Sequence, residues 1–174
     1  MLQEAAAYLH FLSAYYDKLP HAVFFVQASE LSWHHSGSLV ERIAAASKES
    51  TNGFISLNNE TVVDPSLGGV SVVGPVVAGV TARGSIGLEH AMMGWWGRYL
   101  APEVPLAAFS RERVLQQKCC AQMLVSSECI RSQPRALYTR LFHWIMTTPL
   151  PSAASGRLLE WAWEAVFLAK CGAA

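Results

Sequence analysis

The sequence predicts a single α/β domain, a mixed sheet flanked by helices and finished by a helical carboxy-terminal pair, and three observations carry that reading. Short β-rich runs such as "HAVFFV" and "GFISLN" alternate with longer segments of helical period, the pattern of a sheet covered by helices. Hydrophobic residues make up 52% of the 174 positions and charged residues 15%, enough for one substantial core. No repeat, low-complexity tract or charge run divides the chain, so 1–174 reads as one domain.

Each element has its own signal. From Glu4 to Leu19, Ala5, Leu9, Leu12 and Tyr16 recur at helical spacing, and Pro20 ends the helix. "AVFFV" is too short and too apolar for a helix of its own and predicts a strand buried on both faces. It opens into the polar loop "QASELSWHHSGS". "SLVERIAAASKE" predicts a helix capped by Ser38, with Glu41 in capping-box position. "GFISLN" is a strand and "DPSLGG" a turn. Between Ser66 and Ser85 glycines and valines alternate without a period, and loop and short β pieces fit equally well. "IGLEHAMMGWWGRYL" reads as a helix stopped by "APEVP". "CCAQMLV" has the length and composition of an interior strand, which leaves through the cap and turn residues of "SSECIRS". Ser132 precedes Gln133 and Pro134, a good helix start, so "PRALYTRLFHWIM" is expected to be a helix with Leu137, Leu141, Trp144 and Ile145 inward. After "TTPLPS", "SGRLLEWAWEAVFLAK" is read as the last helix, with Leu159, Trp163, Val166 and Phe167 on one face.

Charge and composition exclude several functions. Thirteen basic residues balance thirteen acidic ones, so neither nucleic acid nor an anionic membrane is an expected partner. The longest apolar candidate, "GGVSVVGPVVAGVTARGSIGL", is interrupted by glycines, Pro75 and Arg83, and no transmembrane helix is read. The start "MLQEAAAYLHFL" lacks a signal peptide's basic opening and cleavage site, and the compartment stays open. P-loop, nucleophile-elbow, zinc-protease and dinucleotide motifs are missing, and no cofactor is evident.

The four cysteines are Cys119, Cys120, Cys129 and Cys171. Adjacent residues of a strand point to opposite faces and Cys-x-x-Cys spacing is lacking, so no metal site is expected. Buried, inert thiols are the default. The alternative in an oxidising compartment is a disulfide from Cys119 or Cys120 to Cys129 or Cys171, and sequence alone does not give the pairing.

Candidate binding residues fall at strand ends and on the last helix. Gln27 is the first polar residue after "AVFFV", placed to meet a ligand there or to cap the strand. Trp33, His34 and His35 follow in the loop: one histidine is suited to contact a substrate hydroxyl or act as a base, and the bland reading is a solvated loop with the tryptophan packed down. Gln122, inside an apolar run, must satisfy backbone groups or face a cleft. Arg157 and Glu160 are spaced for a local ion pair, while Glu160 and Glu164 are like charges that call for solvent or a cation.

Together, "EAAAYLHFLSAYYDKLPHAVFFVQ", "SWHH", "CCAQMLVSSECIRSQPRALYTRLFHWI" and "SGRLLEWAWEAVF" resemble, in the same order, the domain-of-unknown-function family numbered 3431. The match is poorest over 47–85, and because the family pattern begins with a further strand, the chain is expected to be truncated at its amino terminus. The family's layout resembles nucleotide-sugar glycosyltransferases of the GT-A type. That implies a sugar nucleotide as donor substrate, a carbohydrate or other small-molecule acceptor, Glu160 as carboxylate base with His34 beside it, and a cleft lined by Gln27, Trp33, His35, Gln122 and Arg157. The only aspartates, Asp17 and Asp64, form no Asp-x-Asp cluster, so arginine or lysine would have to hold the diphosphate. The alternative implied is a non-catalytic remnant or a carbohydrate-binding or interaction domain.

Overall fold

A computed structural model describes residues 4–28, 37–49, 53–58, 61–63, 94–101, 103–105, 116–118 and 121–171. Helix α1 (Glu4–Ala14) and a 3-10 turn (Tyr16–Lys18) precede β1 (Ala22–Phe25), α2 (Leu39–Ala46), β2 (Phe54–Ser56) and β3 (Thr61–Val63). Residues 94–99 are helical (α3). Then come β4 (Gln116–Lys118), β5 (Met123–Ser126), α4 (Ser127–Arg131), α5 (Arg135–Thr147), α6 (Ser152–Glu160) and α7 (Trp163–Leu168).

The sheet has the order β1-β5-β2, and β3 pairs with β4 in a separate ribbon. Val23 faces Val125 on one side of β5, and Ile55 faces Leu124 on the other. Both ladders are antiparallel, so β1 and β2 run the same way and their carboxyl ends share one end of the sheet with the start of β5. The α/β class, with helices around one sheet, is as the sequence predicts.

All four residues of β5 are buried because both its faces are covered. Met123 and Val125 join the large core with Leu9 and Leu12 of α1, Leu137 and Leu141 of α5, and Val166 and Phe167 of α7. Leu124 points the other way, into a smaller core with Leu39, Ala46 and Leu57. Two covered faces explain why "MLV" carries no polar alternation.

Some elements differ from expectation. The β1 strand pairs only with β5 among the described residues, and only Phe25 in it is buried, Ala22 to Phe24 being half-buried. An interior position would have needed a second neighbour. The exit from β5 is itself helical: Ser126 Oγ accepts from Cys129 N–H at 3.1 Å, α4 follows directly from the strand with Ser132 as its C-cap, and the predicted proline-opened helix α5 begins after Pro134. The last helix is two helices. At the break Ala162 N–H bonds the carbonyl of Leu159, three residues back, and the chain turns there. Ser38 caps α2 as predicted, accepting from Val40 N–H. Cys119, Cys120 and the Ser66–Ser85 stretch lie outside the described residues.

A disulfide joins Cys129 of α4 to Cys171 beyond α7 across 42 residues of sequence, with Cα atoms 5.0 Å apart. Gln133 Nε2 donates to Val166 O at 3.0 Å and Tyr16 Oη to Gln133 O at 2.7 Å, so α7 and the end of α1 are fastened at the same place. Closing a loop of that length stabilises the fold by about 4 kcal/mol on chain-entropy grounds. Cys171→Ala is expected to lose most of this in urea denaturation under non-reducing conditions; a midpoint equal to that of the wild type would show that the bridge does not form.

Candidate functional site

Gln27 lies two residues past β1, and its Nε2 donates to Glu4 Oε1 at 2.9 Å. Glu4 stands in the first turn of α1, where unpaired backbone N–H groups favour a carboxylate. One turn on, Tyr8 is on the same side of the helix. Its hydroxyl donates to the carbonyl of Ala121, two residues before β5, at 3.1 Å. The same sheet end therefore receives Gln27 from β1, Ala121 from the approach to β5, and Glu4 and Tyr8 from α1.

Glu160 closes α6, and Arg157 Nη1 donates to its Oε2 at 2.6 Å. The two side chains keep only 19% and 23% of their surface exposed. Burial pushes the Glu160 carboxyl up; Arg157 opposes this and the charge of Glu4 adds to it, leaving a net rise above the ordinary glutamate value. Tyr8 responds to the same charges. Burial first, then Glu4, then Glu160 push its phenol well above the usual range, so it stays a hydrogen-bond donor. Glu4, Tyr8, Gln27, Arg157 and Glu160 are thus one electrostatic unit.

Two carboxylates and one guanidinium leave this unit with one surplus negative charge. A carboxyl whose proton is held more tightly than usual, next to a second carboxylate, is suited to accept a proton and return it. An aromatic wall stands beside it: the Tyr8 ring lies 5.0 Å from Phe25 and 6.3 Å from Trp163, which in turn stacks on Phe167 at 5.8 Å. The buried indole N–H of Trp163 has no partner among the described residues.

Three of the residues singled out in the sequence, Gln27, Arg157 and Glu160, meet here. Gln122 does not. Its neighbours Ala121 and Met123 belong to the large core while Leu124 belongs to the smaller one, so alternation sends Gln122 towards α2. There its Nε2 donates to Asn58 Oδ1 at 3.2 Å, and its own Oε1 is buried without a partner among the described residues. Trp33, His34 and His35 lie outside the described residues. Glu4 and Tyr8 were not legible as site residues. The one available signal is an acid and a tyrosine four apart on an otherwise apolar helix face.

The raised Glu160 value fixes the sign of a pH dependence. Below the ordinary value of 4.5 the carboxyl is protonated in both folded and unfolded chains. Above it the unfolded chain loses the proton first, so the stability associated with the protonated group is lost as pH rises through the folded value. Wild-type stability is expected to fall relative to Glu160→Gln in urea denaturation as pH rises above the ordinary value of 4.5; a difference that stays constant or grows in favour of the wild type would contradict the burial argument.

No curated protein and no solved structure matches the chain. A family model does, over residues 2–173, nearly the whole length and all the elements that build the sheet and the carboxylate unit; the chain belongs to the family described as Protein of unknown function (DUF3431).

Proposed function

We propose that the chain is glycosyltransferase-like, holding a sugar nucleotide and a carbohydrate acceptor at the carboxyl end of β1 with Glu160 as the base. The observation that carries this reading is the Glu160 carboxyl itself, half-buried, raised and paired with Arg157 at 2.6 Å beside a second carboxylate.

In this reading the acceptor hydroxyl gives its proton to Glu160 as its oxygen attacks the anomeric carbon. The bond to the diphosphate oxygen breaks, and the nucleotide leaves with the electron pair, inverting the configuration. Arg157 changes partner from Glu160 to the diphosphate as Glu160 takes the proton. Trp163, whose N–H has no partner among the described residues, is a donor suited to a sugar hydroxyl, while Tyr8, kept protonated, holds Ala121 O and Gln27 orients Glu4. The proposal retains His34 as a second proton acceptor, with Trp33 and His35 as substrate contacts, on the strength of their order after β1; Gln122, turned towards Asn58, is not part of it.

A second reading, carbohydrate binding without transfer, rests on one observation. The Arg157–Glu160 pair is already closed, so both groups have a structural partner.

Calorimetric titration against nucleotide diphosphates and nucleotide sugars, with donor turnover measured in parallel, separates the two. One nucleotide sugar is expected to bind the wild type and Glu160→Gln alike, with turnover in the variant down by about 10²-fold or more. Binding of free sugars with no donor binding would favour the second reading. Binding of neither would overturn both.

A further inference from the structure

The outward face of α5 carries a separate constellation. Ala136, Thr139 and His143 recur along it, opposite the buried Leu137, Tyr138, Leu141 and Trp144. With Tyr99, and with Arg135 and Arg140 on the two flanks, they line an open groove of about 610 Å³. That is the size of a small-molecule site. It shares no residue with the Glu4–Glu160 unit and stands independently of the function proposed above.

Each flanking guanidinium is oriented by one carbonyl and one carboxylate. Arg140 Nε donates to Tyr99 O at 3.1 Å and Nη2 to Glu103 Oε2 at 2.7 Å, which leaves Nη1 without a partner among the described residues. Arg135 Nε donates to Ser13 O at 2.8 Å and Nη1 to Asp17 Oδ2 at 3.2 Å, which leaves Nη2. The two pairs differ in strength. Arg140 and Glu103 are only 32% and 16% exposed; burial pushes the Glu103 carboxyl up, but hydrogen bonding, chiefly from Arg140, holds it below the ordinary value, so the anchor stays charged. Arg135 and Asp17 are 51% and 75% exposed, a pair worth little in water and readily exchanged for another anion.

The surroundings add to the positive side. Arg98 lies over the Tyr99 ring at 5.6 Å, and the charge of Lys170 also reaches Glu103. Among the described residues, Arg135 and Arg140 line the groove, and Arg98 beside Tyr99 and Lys170 near Glu103 add positive charge to that of the lining, against Asp17 and Glu103. Pinned guanidinium forks with an unused arm fit a tetrahedral oxyanion, which offers several acceptor oxygens at once. We propose that this groove is a binding site for a small soluble molecule bearing a phosphate or sulfate group, held first by Arg140 and then by Arg135 as it leaves Asp17, with the rest of the molecule along Tyr99 and Ala136.

The test follows the His143 ring protons by NMR, assigned with His143→Gln, while inorganic phosphate, sulfate, acetate or chloride is added at constant ionic strength and pH. A saturable shift with phosphate and sulfate is expected, weakened about tenfold in Arg140→Lys, the loss of one charge-assisted fork. Arg135→Lys, at an exposed position that leaves folding intact, is expected to weaken it less but measurably. No saturable shift, an equal response to acetate or chloride, or unchanged affinity in both lysine variants would overturn the proposal.

Discussion

Strand β5 is the constraint on which the structure depends. Among the described residues it is the only strand of the main sheet with a partner on each side, and its four residues are buried against both cores. An apolar segment there satisfies its backbone only through the two ladders, since neither face offers water. The ladders in turn fix where β1 and β2 end. Fixing those ends decides which polar groups meet.

The carboxylate unit is a consequence. Tyr8 reaches the carbonyl of Ala121 because α1 packs on the face that Met123 and Val125 present, and Glu4 meets Gln27 because β1 is registered to β5. Glu160 arrives from the far end of the chain, as the last residue of a helix that stops there so that α7 can turn Trp163 and Phe167 into the same core. A glutamate held this way opposes folding through its desolvation, and Arg157 offsets only part of that cost. Local conflict of this kind, at the end of an otherwise well-packed sheet, is where function is expected to reside.

Local signals were legible in the sequence and tertiary ones were not. The period of α1, the cap at Ser38 and the apolar run of β5 are all written in neighbouring residues, and so is the three-residue spacing of Arg157 and Glu160. Gln27 was legible as the first polar residue after a strand. Glu4 was not, because its role depends on a contact 23 residues away that only the β1–β5 register creates. Gln122 was read as facing backbone or cleft, whereas its nearest partner is Asn58, 64 residues distant. The Cys129–Cys171 pairing and the break after Glu160 likewise follow from how α4 and α7 pack, which no local pattern specifies.

The central claim is that burial and the neighbouring Glu4 charge raise the Glu160 carboxyl above its ordinary value, and the most direct measurement is carbon-detected NMR titration of the Glu160 side-chain carboxyl in the wild type and in Glu4→Gln. Coupling requires the Glu160 resonance to titrate above the ordinary glutamate value in the wild type and to move down once the Glu4 charge is gone. An ordinary Glu160 titration, or a raised one that Glu4→Gln leaves unmoved, would contradict it.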